Sequence, residues 1–159
     1  MADRSDIISL AALATAITLT VVEPSGNGIG SDAFAIVWDG SQLHGLNASG
    51  RSPRLMKQEK FAGLEQMPEL GWDTVTVPGA VSAWVALSEK FGKLRFEQLF
   101  DDAIAYASDG FQVGPKTHIY WKEAEQKYRD FEPFIKTFMR DGRAPSIGEQ
   151  VRLPDHAES

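Results

Sequence analysis

The stretch Ala33-Phe34-Ala35-Ile36-Val37-Trp38 constrains the fold more than any other segment of this chain. Read as a strand, it turns Phe34, Ile36 and Trp38 to one face and Ala33, Ala35 and Val37 to the other, because side chains alternate with a period of two. Both faces are apolar, so the strand is expected to be covered on both sides. Asp39-Gly40 follows immediately and is a strong short hairpin signal, which makes Gln42–Asn47 the expected antiparallel return. Ahead of the strand, Gly26, Gly28 and Gly30 alternate, and such glycines permit positive φ and close backbone approach.

Helices account for most of the remainder. Residues 7–22 are apolar or small and uncharged, with Leu10, Leu13, Ala14 and Ile17 at helical spacing and Ser5 or Asp6 as a start signal. The run is short for a membrane span, which needs about 20 residues. Nor does it suit a secretory signal, since Met1–Asp6 sets two acids against one Arg and the small residues Ala14-Thr15-Ala16 fall inside the apolar run. A buried helix ended by Glu23-Pro24 is the better reading. A second helix is expected from Pro78, with Val81, Trp84, Val85 and Phe91 as its stripe and Gly92 as its stop. Phe96, Leu99, Phe100, Ala103 and Ala107 line a third, ended by Gly110. A fourth begins near Pro115 and turns Trp121, Ala124 and Tyr128 to one side. Between Ala48 and Thr74 the chain is irregular apart from a possible turn of helix at Lys57–Phe61, and Glu149–Leu153 reads as extended. The fold class is therefore α/β (α+β), with antiparallel strands and covering helices.

Composition narrows the chemistry. At 159 residues with 43% hydrophobic and 24% charged, the chain can bury a core and is not a disordered segment. With no Cys it has no disulfide, thiolate metal site or catalytic thiol. Sixteen Lys and Arg against 22 Asp and Glu argue against a nucleic-acid partner. The Gly26–Gly30 loop lies between a helix and a strand, whereas a dinucleotide loop follows a strand and opens a helix, so no nucleotide cofactor is expected. His44, His118 and His156 are widely separated and share no metal-ligand spacing, so no metal is expected. His44 falls mid-strand and reads as structural, Asp101-Asp102 as a solvated helix face, and Asn47-Ala48-Ser49 matches the short glycosylation pattern. Arg51 follows a Gly just beyond the returning strand, where a guanidinium can grip a carboxylate in bidentate fashion; an exposed loop Arg with no such role explains the position as well.

Four blocks in order resemble the γ-glutamyltransferase (γ-glutamyltranspeptidase) family. They are Val21-Val22-Glu23-Pro24-Ser25-Gly26-Asn27-Gly28-Ile29-Gly30-Ser31-Asp32-Ala33-Phe34, then Leu46-Asn47-Ala48-Ser49-Gly50-Arg51-Ser52-Pro53. Val75-Thr76-Val77-Pro78-Gly79 with Phe91-Gly92-Lys93-Leu94 forms the third block, and Ala103-Ile104-Ala105-Tyr106-Ala107-Ser108-Asp109-Gly110-Phe111-Gln112-Val113 the fourth. The resemblance implies an N-terminal-nucleophile hydrolase, a four-layer αββα sandwich formed by a self-cleaving precursor. In that family the new N-terminal Thr of the small subunit attacks a γ-glutamyl donor such as glutathione, with its own α-amine as base. No Thr here can be carried onto that nucleophile. Residues 1–159 accordingly resemble an N-terminal piece of the large subunit, incomplete at both ends, whose expected partners are the rest of that subunit, the small subunit and a γ-glutamyl substrate. No catalytic residue is assigned within the chain, and neither a cofactor nor a compartment is implied.

One family binding residue bears on these positions. An Arg in the family's R-E-x-A-P segment holds the γ-glutamyl α-carboxylate. Aligned on Pro53, that Arg falls on Ser49, with Arg51 two positions later. Either Arg51 reaches the same carboxylate, or this subgroup recognises another acyl group, as its cephalosporin-acylase-like members do. A non-catalytic scaffold or interaction protein that keeps this half-fold is the alternative from another functional class.

Overall fold

The computed structural model describes the backbone of residues 4–159 and the side chains from Ala11 onward. The first helix, α1 (Arg4–Val22), turns Leu13, Ile17 and Val21 inward, and Thr20 is buried beside them with its hydroxyl donating to the Ile17 carbonyl at 2.7 Å. The Leu10 side chain and the capping roles expected of Ser5 and Asp6 lie outside the described residues. Six elements pack about this helix or extend its core: α2 (Ala80–Phe91), α3 (Asp101–Asp109) preceded by a 3-10 turn at Phe96–Phe100, the short strand pair β3 (Phe111–Gln112) and β4 (Gln150–Val151), and α4 (Pro115–Lys127). Helices α5 (Glu132–Phe138) and α6 (Pro154–Glu158) close the C-terminal side. Neither β3 nor α6 was legible as a separate element, being two and five residues long.

The core is built on complementary sizes. Ala103 and Ala107 let α3 approach α1, while Trp84, Leu99 and Trp121 fill the wider gaps. Trp121 is 1% exposed and its indole Nε1–H donates to the Phe138 carbonyl at 2.9 Å, so its one polar atom is satisfied inside the core.

The hairpin consists of β1 (Ala33–Trp38) and β2 (Leu43–Ala48), paired antiparallel from Ala33 opposite Ala48 to Trp38 opposite Leu43. Its connection is longer than the expected two-residue turn, and β2 starts at Leu43 rather than Gln42. The Asp39 carboxylate is the reason: one oxygen accepts from the Ser41 and Gln42 amides, each at 2.8 Å, and the Asp39 amide donates to the Gln42 carbonyl.

Cover on both faces of β1 is not what the chain provides. Helix α2 packs on the Ala33, Ala35 and Val37 side, but Phe34, Ile36 and Trp38 are 65%, 78% and 60% exposed. The physical reason is the count of layers: among the described residues one helical layer meets a two-stranded sheet, and the opposite face is left exposed.

Helix α2 differs from expectation at both ends. It starts at Ala80, with Pro78 outside it, because the Gly79 and Ala80 amides donate to the Ser31 carbonyl at 3.1 and 3.0 Å and cap the first turn from another segment. This phase buries Ala80, Ala83, Trp84 and Ser88 and leaves Val81 exposed. Gly92 ends the helix with φ of -80°, not by a left-handed turn. A Cβ there would lie 2.4 Å from the Ser88 carbonyl oxygen, so Gly is required by crowding.

Replacing Trp121 by Ala removes a buried indole and strands the Phe138 carbonyl, with an expected loss of about 3–5 kcal/mol. The exposed Ile119→Ala on the same helix should change stability by less than about 0.5 kcal/mol. Urea denaturation of the two variants checks both values.

Candidate functional site

Three of the four blocks that carry the sequence resemblance converge at one node, and the fourth, Ala103–Val113, lies in α3 and β3. The Ser31 carbonyl receives the two amides that open α2. The end of β2 then lies against Val77–Gly79: the Val77 amide donates to the Arg51 carbonyl at 2.8 Å, and Arg51 and Val77 form an isolated antiparallel bridge. Two glycines permit this approach. A Cβ at Gly79 would stand 2.0 Å from the Ala48 carbonyl oxygen, and one at Gly50 would stand 2.3 Å from that of Val77. Gly50 also adopts φ of +79°, a left-handed conformation that side chains disfavour.

The alternating glycines ahead of β1 behave differently from expectation. None of Gly26, Gly28 and Gly30 has positive φ, and a Cβ would meet nothing within 4 Å at Gly26 or Gly30 and only an ordinary contact at Gly28. Gly28 and Gly30 line an apolar groove with Ile17, Val21 and Phe100, so the loop is open there and its glycines do not serve a close backbone approach.

Ser49 and Arg51 sit at the edge of the node, both exposed. The Asn47 side-chain oxygen accepts from the Ser49 amide at 3.0 Å, a local turn that fixes the chain direction after β2. The Arg51 backbone is pinned through its carbonyl, while among the described residues its guanidinium makes no hydrogen bond or ion pair. All five N–H donors are thus available to a ligand carboxylate. Beyond Arg51, Ser52 and Pro53 lead into a cleft of about 430 Å³ that also contains Met56, Met67 and Asp73, the last paired with Lys60. Among the described residues no group of His, Asp and Glu is arranged to hold a metal, and no helix is long and apolar enough to cross a membrane.

A second polar cluster escaped sequence reasoning because its members are far apart in the chain. His44 Nε2 lies 2.6 Å from an Asp39 carboxylate oxygen, and Lys90 Nζ lies 3.0 Å from His44 Nδ1. An ammonium can only donate, so Nδ1 accepts and Nε2 carries the proton that Asp39 receives. The ring also packs edge-on against Phe91, at 5.2 Å between centroids. The cluster ties the hairpin tip to the last turn of α2, which is a structural role for His44. His118 is likewise structural, its Nδ1–H donating to the Pro145 carbonyl at 2.7 Å.

Comparison with known proteins fits the node's make-up. The gamma-glutamyltranspeptidase family model matches residues 10–159. The chain belongs to this family. Among curated relatives, it is 29% identical over 152 residues to the glutathione hydrolase-like YwrD proenzyme of Bacillus subtilis, covering 94% of this chain and 29% of that protein. It is 33% identical over 153 residues to the oxamate amidohydrolase proenzyme of Klebsiella pneumoniae, covering 91% and 29%. The chain thus spans under a third of these relatives' length. Among solved structures, the cephalosporin acylase of Bacillus halodurans superposes with a TM-score of 0.88 at 45% identity, over 94% of this chain and 30% of that one. The gamma-glutamyltranspeptidase of Helicobacter pylori gives 0.86 at 25% identity, over 94% and 45%. The family assignment and the N-terminal-nucleophile hydrolase fold class expected from the four blocks therefore both hold.

The His44 cluster has a signed pH dependence. Hydrogen bonds from His44, then from the Gln42 and Ser41 amides and the Ser41 hydroxyl, hold the Asp39 carboxyl well below the usual carboxylate range. A lowered folded-state value means that Asp39 contributes stability above its unfolded value of about 3.9, and that this is lost as pH falls from there. The hairpin amides of Ser41 and Gln42, followed by NMR as the pH is lowered from about 6, should keep their positions through the ordinary carboxylate range (about 3.9) and shift together only well below it, as Asp39 titrates. Asp39→Asn should abolish that transition; its survival would assign the transition to another group.

Proposed function

We propose that residues 1–159 form part of the large-subunit region of an N-terminal-nucleophile amidohydrolase or acyltransferase that acts on γ-glutamyl donors of the glutathione type. The observation that carries this reading is the family match across residues 10–159, with the node at Ser31, Gly50–Arg51 and Val77–Gly79 built from the matching blocks. The catalytic Thr belongs to a segment outside these 159 residues. Its hydroxyl oxygen attacks the donor carbonyl while its α-amine takes the proton, the donor amine leaves, and the resulting acyl ester passes to water or to an acceptor amine.

Within this scheme the chain supplies scaffold and a carboxylate clamp. The guanidinium of Arg51 grips the donor α-carboxylate, with Ser49 as a hydroxyl partner beside it. The exposed Phe34, Ile36 and Trp38 face is covered by the remainder of the large subunit and the small subunit, which completes the sandwich. A second reading, hydrolysis of a different acyl amide, is favoured by the 45% identity to a cephalosporin acylase and by Ser49 at the position aligned with the family's carboxylate-binding Arg.

The 159-residue chain alone should release no p-nitroaniline from γ-glutamyl-p-nitroanilide. In an active polypeptide that joins these residues to the Thr-bearing remainder, Arg51→Ala should raise KM roughly tenfold or more with a smaller change in kcat, consistent with loss of a charge-assisted bidentate contact. An unchanged KM for γ-glutamyl donors would dismiss the clamp and leave the acylase reading.

A further inference from the structure

On the side of the molecule formed by α5 and α6, a cleft of about 510 Å³ gathers three cations from two separate segments: Lys136 and Arg140 from one, Arg152 from the other. In a chain of formal net charge -6, this grouping is against the trend of the surface. Two of the cations are held in place by backbone. A terminal guanidinium nitrogen of Arg140 donates to the Arg152 carbonyl at 2.7 Å, and Arg152 Nε donates to the Asp109 carbonyl at 3.0 Å. The root of Arg140 is also fixed, since Arg140 and Arg143 exchange amide bonds at 2.8 and 3.0 Å across a tight turn in which Asp141 and Gly142 have positive φ. Each guanidinium is therefore oriented by one bond and keeps four of its five donors.

Among the described residues Lys136, Arg140 and Arg152 form no ion pair. Arg140 also acts on Glu149, but one oxygen of that carboxylate already receives Arg143 at 2.9 Å and the Ser146 amide at 2.8 Å. Two further acids, Glu132 and Asp155, line the same cleft without an ion pair of their own. Opposite charges that share a cleft without pairing leave two complementary half-sites. The acids oppose entry of a polyanion, whereas the cations favour a single carboxylate. The volume lies within the range of small-ligand pockets and exceeds what one inorganic anion fills.

We propose that this cleft binds a small zwitterion, an amino acid or short peptide, with its carboxylate on Arg140, Arg152 and Lys136 and its ammonium toward Glu132 and Asp155. The site is separate from the Arg51 node and does not rest on the hydrolase reading.

Titration of the 159-residue chain with the dipeptide Ala-Ala, followed by NMR on the Arg side-chain signals, tests the proposal. Saturable shifts are expected, with binding roughly tenfold weaker for Ala-Ala amide, which lacks the carboxylate. Lys136→Gln should weaken Ala-Ala binding by a similar factor without disturbing the bonds that hold Arg140 and Arg152. Glu132→Gln should weaken Ala-Ala but leave N-acetyl-Ala-Ala unaffected. No saturable shift, equal affinity for the amide, unchanged binding in Lys136→Gln, or tighter binding of inorganic phosphate than of Ala-Ala would each overturn the proposal.

Discussion

The fold turns on how closely the end of β2 can approach the segment that opens α2. At Gly79 there is no room for a single methyl group, with the Ala48 carbonyl oxygen 2.0 Å from where a Cβ would stand. That proximity lets the Ser31 carbonyl reach the Gly79 and Ala80 amides and brings the Arg51 carbonyl to the Val77 amide. Each bond is worth only about 0.5–1.5 kcal/mol net. Their combined effect is geometric, because they set the angle of α2 against the hairpin. Trp84 enters the core from that helix, and Ala80 packs against the same cluster. A shift of α2 would therefore disturb the main core as well as the exposed loop that carries Arg51.

The hairpin is held at its other end by chemistry of a different kind. Asp39, His44 and Lys90 form a donor–acceptor chain in which the ammonium dictates the imidazole tautomer. Main-chain crowding at one end and a side-chain relay at the other fix both ends of a sheet that has only two strands. Such a sheet is marginal by itself, and its stability here comes from packing on α2. The apolar residues on its far side gain nothing from that packing. Three large apolar side chains stand exposed in a row on one strand, a grouping that the surfaces of folded proteins seldom leave uncovered.

What could be read in the sequence followed from periodicity and local punctuation. The buried positions of α1, the Leu99, Ala103 and Ala107 stripe, and the Trp121 and Ala124 face of α4 all appear as spacings of three and four. Features set by distant segments were not accessible in this way. The start of α2 moves from Pro78 to Ala80 because its cap is Ser31, far upstream. The glycines of Gly26–Gly30 stand out as a local pattern, yet the crowded ones are Gly50, Gly79 and Gly92, each isolated in its segment. His44 illustrates the same limit, since its partner Lys90 is 46 residues away.

The candidate site repeats this division between local pattern and tertiary placement. Arg51 could be singled out by residue type and by its position after a strand, but the pinning of its backbone could not. Two residues of extended chain span at most about 7 Å. The positive φ of Gly50 shortens that separation between Ser49 and Arg51 by turning the chain between them. Because the Arg51 carbonyl is held by the Val77 amide, the backbone at Arg51 is fixed and only its side chain is left to move. Among the described residues its guanidinium has no partner, so the side chain pivots about an anchored origin, a placement that local sequence pattern does not reveal.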